Sequence, residues 1–517
     1  MCSIIEKMDT PNSALLVHSP IDENTRITLQ GNSGISISKN WVLTHGTALS
    51  LIIDKSHAIS RFVKDMIPGE LTIAPMELAN ELKFRVYRDL EIDDGSRSGD
   101  YSRVREHQGS IVAAWKCPLL TKTFDEFFET WNFPNSSIKF DRFLRSIYLL
   151  VLITDSDKKS IVEIPSVKQA LSCLLDQAMR NPIRGSSVEI ESTPFGNPLF
   201  IGSIARGVVS NVIGDEGCVI MTDAYAFPGS EGGPVYVIPD CKRRIISGLV
   251  IAPLSWCRGE WVDYTFAANL APCLLNILQK KDPRCPPIIS RQENETLDRG
   301  VVLVRCGINW GTGVLVDKDT GTYLTCSHVV AEAPEREISI VMSTDQTNSR
   351  TWAKLLYRTP KNQPYDVAVL RVNPQDIDPL LKSIRLSRAP IVKGEPVVSV
   401  GFPFSSSVQP TISSGVISNS MNCALLTTCC AQSGTSGGPI ISRATGEMLG
   451  MIVCNALSSD GAVLYPRMSL AVPAAVMDRP LQEYLRTDNA DALRAFTCDD
   501  AIVRNVWNFY PLLPSKL

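Results

Sequence analysis

The chain is written twice. In its second half Gly311-Thr-Gly-Val-Leu-Val-Asp317 leads to Tyr323-Leu-Thr-Cys-Ser-His328, and then come Ser414-Gly-Val-Ile-Ser-Asn419, Gly434-Thr-Ser-Gly-Gly-Pro439 and Gly450-Met-Ile-Val-Cys454. The first half runs through the same order: Gly31-Asn-Ser-Gly-Ile-Ser-Ile37, Val42-Leu-Thr-His45, Arg206-Gly-Val-Val-Ser-Asn211, Gly229-Ser-Glu-Gly-Gly-Pro234 and Gly248-Leu-Val-Ile251. Ordered self-similarity of this kind means two copies of one fold, each burying its own core, and 517 residues are in any case too many for a single core. Each half closes on an apolar segment with helical spacing, Ala267 to Leu278 and Pro473 to Leu485. Thr44 to Gly232 is a much longer stretch than Thr325 to Gly437, so the first copy carries an insertion, mostly between Ile52 and Val188. The Pro-rich, charged run around Pro283, Pro286 and Pro287 reads as a linker. The expected domains are therefore 1–280, a linker at 281–300, 301–490, and a tail at 491–517.

Within each copy the apolar runs are short, rich in Val and Ile, and punctuated by Gly and Pro, as in Val301–Val304, Gly313–Val316, Val367–Val372 and Val397–Val400. That pattern predicts an all-β-dominated chain of antiparallel barrels rather than a parallel βαβ sheet. With 51 basic against 54 acidic residues, the chain lacks the positive excess that a nucleic-acid coat or a polybasic membrane patch needs. Its apolar runs fall short of the roughly 20 residues that cross a bilayer, so no membrane insertion is expected. Met1 to Thr10 carries Glu6, Lys7 and Asp9 in place of a secretory apolar core, which predicts a reducing compartment. There the 15 cysteines read as mostly free thiols, and Asn135 and Asn294 as unglycosylated. No C-x-x-C pair occurs and the five histidines are scattered, so neither metal nor cofactor is expected; the Gly spacing from Gly307 to Gly313 lacks the helix and acid of a dinucleotide loop.

Chemistry concentrates at Gly434-Thr-Ser-Gly-Gly-Pro439. Attack on a peptide carbonyl needs an exposed hydroxyl on a tight turn, with backbone N–H groups aimed at the developing oxyanion. Ser436 between glycines meets that need, with the N–H groups of Gly434 and Ser436 as the oxyanion donors, although the same six residues also suit an ordinary Gly-rich turn. His328 ends an apolar strand, where a turn can project an imidazole. Asp366 enters the apolar run Val367–Leu370, where a carboxylate could hold that imidazole in its reactive tautomer. The order His, Asp, Ser is the one used by chymotrypsin-like double barrels.

On these residues the second half resembles the trypsin-like serine proteases of the Deg/HtrA type, over about Val301 to Arg486. The resemblance implies tandem trypsin-like (chymotrypsin-fold) double β-barrel domains, each ending in a helix, and a catalytic triad of His328, Asp366 and Ser436. The first half aligns with Thr47 at the histidine position, His45 falling two residues early, and Glu231 at the serine position, with no convincing aspartate. It therefore reads as a copy that has lost its triad and serves as scaffold, partner surface or regulator. Ser515-Lys516-Leu517 matches a receptor-read peroxisomal address. Together with the degenerate first half, it makes the chain similar to the peroxisomal branch of the family. Membership of that branch implies a serine endopeptidase of the peroxisomal matrix that removes amino-terminal targeting leaders from imported enzymes and processes some β-oxidation enzymes. Its expected partners are those peptide and protein substrates, the import receptor at the carboxy terminus, and a second copy in a homodimer.

Two departures from better-known relatives narrow this. Too few residues follow Ser436 for a PDZ domain, and Val329 and Gln432 stand where secreted trypsins carry disulfide cysteines. By alignment Cys430 lies at the base of the primary specificity pocket, with Val453, Cys454 and Asn455 along one wall. No Asp at the base argues against Arg or Lys, and the family points to cysteine before the cut; the same four residues also fit plain core strands. The resemblance further points to self-cleavage, placed between about Glu91 and Lys122 in a charged run, Glu91 to Gln108, expected to be an exposed loop; Cys117 itself is disfavoured by Pro118. Two other functions stay open: a non-catalytic peptide-binding or chaperone-like module on a protease fold, and a cytosolic Deg-type quality-control protease.

Overall fold

The computed structural model of the chain describes residues 11–18, 31–50, 52–78, 81–89, 104–129, 131, 141–154, 162–239, 243–253, 255–257, 260–279, 298–333, 336–343, 348–361, 363–404, 409–457 and 464–508. The chain divides into two compact units, Met1–Ile288 and Ile289–Leu517.

In the first unit β1 (Asn12–His18), β2 (Gly31–Ser36), β3 (Trp41–His45), β4 (Thr72–Ile73), β5 (Lys83–Asp89), β6 (Val104–Lys116) and β7 (Ile147–Ile153) form one antiparallel sheet. It closes in the order β1-β2-β3-β7-β6-β5, with β4 added against β6. β7, Ile-Tyr-Leu-Leu-Val-Leu-Ile, is buried along nearly its whole length because helices and loops cover its outer face as the barrel interior covers the inner one. The second barrel takes β8 (Ser187–Ser192), β9 (Ser203–Ile213), β10 (Val219–Thr222), β11 (Pro234–Ile238), β12 (Ile245–Ala252) and β15 (Thr265–Asn269), closed as β8-β9-β10-β15-β12-β11. The hairpin β13 (Ser255–Cys257) with β14 (Glu260–Val262) interrupts the run from β12 to β15.

The inserted residues fold as helices on these barrels. In α1 (His57–Lys64) the Ser56 hydroxyl caps the Ile59 N–H, and Ile59, Phe62 and Val63 turn inward to join Leu16, Val42, Phe84 and Val151 in one core. Each such side chain contributes about 1.5–3 kcal/mol when fully buried. α2 (Pro118–Phe127), the short α3 (Asp141–Leu144) and α4 (Ile164–Gln177) follow, and α4 buries Val167, Ala170, Leu171, Leu174 and Leu175 at helical spacing. The unit ends on α5 (Leu270–Leu278). One expectation is corrected here: Val104 to Gln108 is not loop but the start of β6, paired residue by residue with β5 from Asp89 to Arg85. Its polar side chains face out while its backbone is consumed by the ladder. Residues 91–103 lie outside the described residues.

The second unit repeats the plan. β16 (Val301–Cys306), β17 (Asn309–Asp317), β18 (Thr322–Thr325), β19 (Ile338–Ser343), β20 (Asn348–Arg358) and β21 (Ala368–Arg371) close as β16-β17-β18-β21-β20-β19. β22 (Pro396–Gly401), β23 (Thr411–Met421), β24 (Ala424–Thr427), β25 (Pro439–Ser442), β26 (Met448–Leu457) and β27 (Leu464–Pro473) close as β22-β23-β24-β27-β26-β25. The cyclic order matches the first unit strand for strand, so the all-β tandem double-barrel architecture expected from the repeat is the one observed. α6 (Ala474–Thr487) follows, and the segment expected as a tail adds a 3-10 turn at Ala490–Phe496 and α7 (Ala501–Asn508). Both dock: Trp507 Nε1 donates to the Cys423 carbonyl at 3.0 Å and Tyr357 and Thr497 share a hydroxyl contact at 2.8 Å. No helix among the described residues is long and apolar enough to cross a membrane. Ser515, Lys516 and Leu517, and residues 281–297 of the expected linker, lie outside the described residues.

Candidate active site

His328 sits in the single 3-10 turn Ser327–Val330 that leaves β18, and Asp366 stands two residues before β21, the strand paired with β18. The pairing of Thr325 with Ala368 sets the two side chains opposite each other. The result is a two-point capture. Asp366 Oδ1 accepts the His328 backbone N–H at 3.0 Å, and Oδ2 lies 2.5 Å from His328 Nδ1. An ionised carboxylate only accepts, so Nδ1 carries the ring proton and Nε2 is left as a free base. The His328 side chain is half exposed and that of Asp366 about a quarter. The imidazole can reach a substrate while its partner is partly screened from water.

Ser436 lies on the turn between β24 and β25, in the second barrel of this unit. Gly434 and Gly437 around it have φ of +98° and +87°, a region that other residues adopt only with strain. A Cβ on Gly434 would stand 2.3 Å from the Phe402 carbonyl oxygen, and one on Gly437 2.1 Å from that of Thr312. The backbone N–H groups of Gly434 and Ser436 have no acceptor among the described residues, and two open donors on one turn could receive an external oxyanion. Ser436 Oγ donates to the Val453 carbonyl at 2.9 Å rather than to His328. Catalytic hydrogen bonds in a substrate-free site are often looser or differently directed than in the complex.

Of the four residues expected at the specificity pocket, Val453 meets the same turn through its carbonyl, which accepts from Ser436 Oγ. Cys430 is fully buried, its N–H held by Ser413 Oγ at 2.8 Å and its sulfur touched by Gln432 Nε2. Asn455 Nδ2 donates to the Ala431 carbonyl at 2.7 Å, and Ser469 Oγ donates to Asn455 Oδ1. Val453 is buried; Cys454 is exposed as a residue while its sulfur is largely shielded from solvent. Desolvation, with the nearby Asp366 charge, pushes the Cys454 thiol up to about 11; burial and the same carboxylate push Cys326 well above the ordinary thiol range. Both stay protonated near neutral pH, so neither supplies a thiolate beside His328. Every described cysteine is a free thiol. Cys326, His328 and Asp366 present donor atoms within 4.8 Å of one another, a set that could hold a metal ion, but His328 and Asp366 already spend theirs on each other.

Strand register locates the corresponding positions in the first unit. Thr44 pairs with Leu149 as Thr325 pairs with Ala368, so Ile147 stands where Asp366 does and Thr47 where His328 does. Gly232 N–H bonds the Val250 carbonyl as Gly437 bonds Ile452, which sets Glu231 against Ser436. The three positions therefore hold Thr, Ile and Glu. Sequence comparison found no aspartate because an isoleucine has replaced it. Glu231 is buried, and its Oε2 accepts the Gly229 N–H at 2.7 Å, the donor equivalent to Gly434. Arg145, also buried, donates through Nη1 to the Ile251 carbonyl at 3.1 Å, the acceptor equivalent to Val453. His45 is fully buried between Thr47 Oγ1 and the Arg145 carbonyl, each 3.0 Å away, and burial lowers it to about 3. Neither His45 nor Arg145 stood out in the sequence as a filler of this site, because filling is a matter of volume and depth.

Sequence reasoning also missed Thr312. Its hydroxyl donates to the Gly434 carbonyl at 2.8 Å and accepts the Phe402 N–H at 3.0 Å; its own N–H bonds the Ser436 carbonyl at 2.8 Å. Thr325 Oγ1 donates to the Thr312 carbonyl at 2.7 Å. The repeat held the signal, since Ser33 aligns with Thr312 and both carry a hydroxyl.

A double barrel with a carboxylate-held imidazole on one barrel and a glycine-flanked serine turn on the other defines a class. Residues 311–451 match the trypsin-like peptidase domain family, so the second unit carries a trypsin-like peptidase domain. The chain is 31% identical over 350 residues to the peroxisomal leader peptide-processing protease of Homo sapiens, a match covering 63% of this chain and 60% of that protein. It is 30% identical over 353 residues to the protein of the same name from Mus musculus, with the same coverage. The resemblance stated from the motifs thus has named counterparts, and the chain spans less than two thirds of their length. Among solved structures, the serine endoprotease from Yersinia pestis is similar at 22% identity and a TM-score of 0.31, over 39% of this chain and 69% of that one.

Proposed function

We propose that the second unit is an active serine endopeptidase with Ser436 as nucleophile, His328 as general base and acid, and Asp366 as the group that orients His328. The observation that carries this reading is the double hold of Asp366 on His328, through backbone N–H and Nδ1, which leaves Nε2 free to accept a proton. With substrate bound, the Ser436 hydroxyl rotates off the Val453 carbonyl toward His328 Nε2 and attacks the scissile carbonyl, its proton passing to the imidazole. The N–H groups of Gly434 and Ser436 receive the oxyanion. His328 then protonates the leaving amine, and water, deprotonated by the same nitrogen, releases the acyl group. Cys430, Val453, Cys454 and Asn455 bound the side chain before the cut and select against Arg and Lys.

The substrates in this reading are amino-terminal leaders of imported peroxisomal enzymes, in keeping with the names of the curated relatives, and, from the motif resemblance alone, some β-oxidation enzymes. Ser515-Lys516-Leu517 serves as the import address of a matrix protein. The first unit, residues 1–280 in its domain reading, is catalytically silent. The domain of residues 301–490 does the chemistry. One observation favours a second reading, a non-catalytic peptide-binding module: Ser436 Oγ is turned to Val453 rather than His328. Labelling with a fluorophosphonate, followed by profiling on a peptide library, decides between them. The protease reading requires labelling and cleavage by the wild type and neither by Ser436→Ala; an unlabelled wild type with intact peptide binding favours the module.

A further inference from the structure

We infer that Thr312 is a positioning residue for catalysis: its hydroxyl clamps the oxyanion turn of the second barrel onto the first, and holds the Gly434 and Ser436 N–H groups in their working geometry. The inference deepens the protease reading and rests on it. Thr312 lies on β17, in the barrel that carries His328, and is wholly buried. It reaches both ends of the three-residue turn, with its hydroxyl on the Gly434 carbonyl and its N–H on the Ser436 carbonyl. The two held carbonyls belong to the same two residues that carry the donor N–H groups, so pinning each carbonyl plane limits rotation about Gly434 and about Ser436 and with it the direction of each N–H. The hydroxyl's remaining lone pair takes the Phe402 N–H, while Trp310 Nε1 holds the Phe402 carbonyl at 3.3 Å. Gly434 is pressed against that same carbonyl and indole, so the loop at Phe402 forms the back wall of the turn.

The first unit supplies an independent observation. There Ser33 Oγ donates to the Gly229 carbonyl at 2.8 Å and accepts the Thr193 N–H at 2.9 Å, and Thr44 Oγ1 donates to the Ser33 carbonyl at 2.6 Å. Three contacts recur: hydroxyl to turn carbonyl, loop N–H to hydroxyl, and a threonine on the next strand holding the hydroxyl residue's own carbonyl. It has outlasted the catalytic side chains around it. The clamp thus belongs to the turn itself, and the position tolerates Ser or Thr because only the hydroxyl is used.

The test compares Thr312→Val, which keeps the shape and removes the hydroxyl, with Thr312→Ser, which keeps the hydroxyl, in the full chain. Ser33→Ala makes the matching deletion in the first unit. Peptide cleavage is measured as separate kcat and KM, and backbone hydrogen exchange is followed over 430–440. The expected result is a fall in kcat of roughly 10- to 100-fold for Thr312→Val at nearly constant KM, since a misplacement on the scale of 1 Å costs about that much. Thr312→Ser stays within about threefold of wild type, exchange over the turn quickens only in Thr312→Val, and Ser33→Ala leaves kcat unchanged. Trp310→Phe, which removes only the indole donor, is the second variant if Thr312→Val does not fold; it lowers kcat by a smaller factor. A kcat within twofold of wild type in the folded clamp variants overturns the inference, as does an equal fall in Thr312→Ser or in Ser33→Ala. If the wild type shows no Ser436-dependent cleavage, the protease reading fails, and the exchange data alone then decide whether Thr312 holds the turn.

Discussion

Replacing Asp366 by Asn tests the chemistry at its least forgiving point. The asparagine oxygen can keep the His328 backbone N–H now bonded at 3.0 Å, which turns its NH2 toward Nδ1, where the carboxylate now stands at 2.5 Å. An NH2 facing Nδ1 demands an acceptor there, so the ring proton moves to Nε2, the nitrogen that must take the proton of Ser436. The variant also loses the charge that stabilises the imidazolium. A carboxylate and an imidazolium about 4 Å apart attract by about 4 kcal/mol at an effective dielectric of 20 and by about 1 kcal/mol in bulk water, and the half-exposed His328 ring sets the pair between those limits. The wrong tautomer removes the free base as well. The two losses together lower kcat by about 10⁴, the size of loss typical of this substitution in a Ser-His-Asp triad. The assay is steady-state cleavage of a peptide ending in a chromophore, with circular dichroism to certify the fold. Combined with Ser436→Ala, the loss should fall far short of additive, because the residues act as one unit. A folded Asp366→Asn protein with kcat within tenfold of wild type would refute the reasoning.

Four further outcomes follow. His45 is depressed to about 3 in the folded state against 6.5 unfolded, so the unfolded chain binds the extra proton between those values; the contribution is whole above pH 6.5 and is lost as pH falls toward 3. The first unit should lose about 2 kcal/mol between pH 7 and pH 5, and His45→Gln should flatten that slope in denaturant titrations; an unchanged slope counts against it. Glu231→Ala should leave kcat near wild type while costing the first unit about 1–3 kcal/mol, because it strips the Gly229 N–H of its acceptor; a collapse in kcat with the fold intact would give that unit a part in the chemistry. Deleting Ser515 to Leu517 should make the protein cytosolic but fully active in vitro, and peroxisomal retention in cells lacking any full-length copy defeats this. Self-cleavage, if it occurs, should fall within residues 91–103 rather than anywhere up to Lys122, since β6 and α2 occupy 104–127 and Cys117 is buried; mass spectrometry of aged wild type beside Ser436→Ala reads the site, and cuts inside β6 or α2 contradict the argument.

The architecture was legible because a repeat and a period-two pattern are properties of the residue string. Glycines that must adopt positive φ announce the serine turn, and the pair of strands β18 and β21 is visible as apolar runs beside His328 and Asp366. What escaped was whatever depends on depth. Nothing in Val104 to Gln108 marks it as strand, since its side chains are polar and only the pairing with β5 makes it one. The inserted helices α1 and α4 were visible only as extra length. Alignment puts Glu231 at the serine position and says nothing of Arg145; both lie buried against N–H and carbonyl groups that a linear reading does not bring together.

The packing of those two residues has a bearing on ancestry. A side chain that merely falls silent can regain its role by a single reversal. In the first unit the space was taken instead: a carboxylate lies on the turn's own donor, a guanidinium lies on the opposing carbonyl, and an isoleucine stands where the orienting acid was. Restoring serine at 231 would take the Glu231 acceptor from the Gly229 N–H, and restoring aspartate at 147 would set a carboxylate at a position matched by Thr47 rather than by a histidine, so neither backward step rebuilds the site on its own. On the proposed reading of the first unit as catalytically silent, that silence is a one-way passage, and the two halves are free to diverge in everything except the frame that folds them.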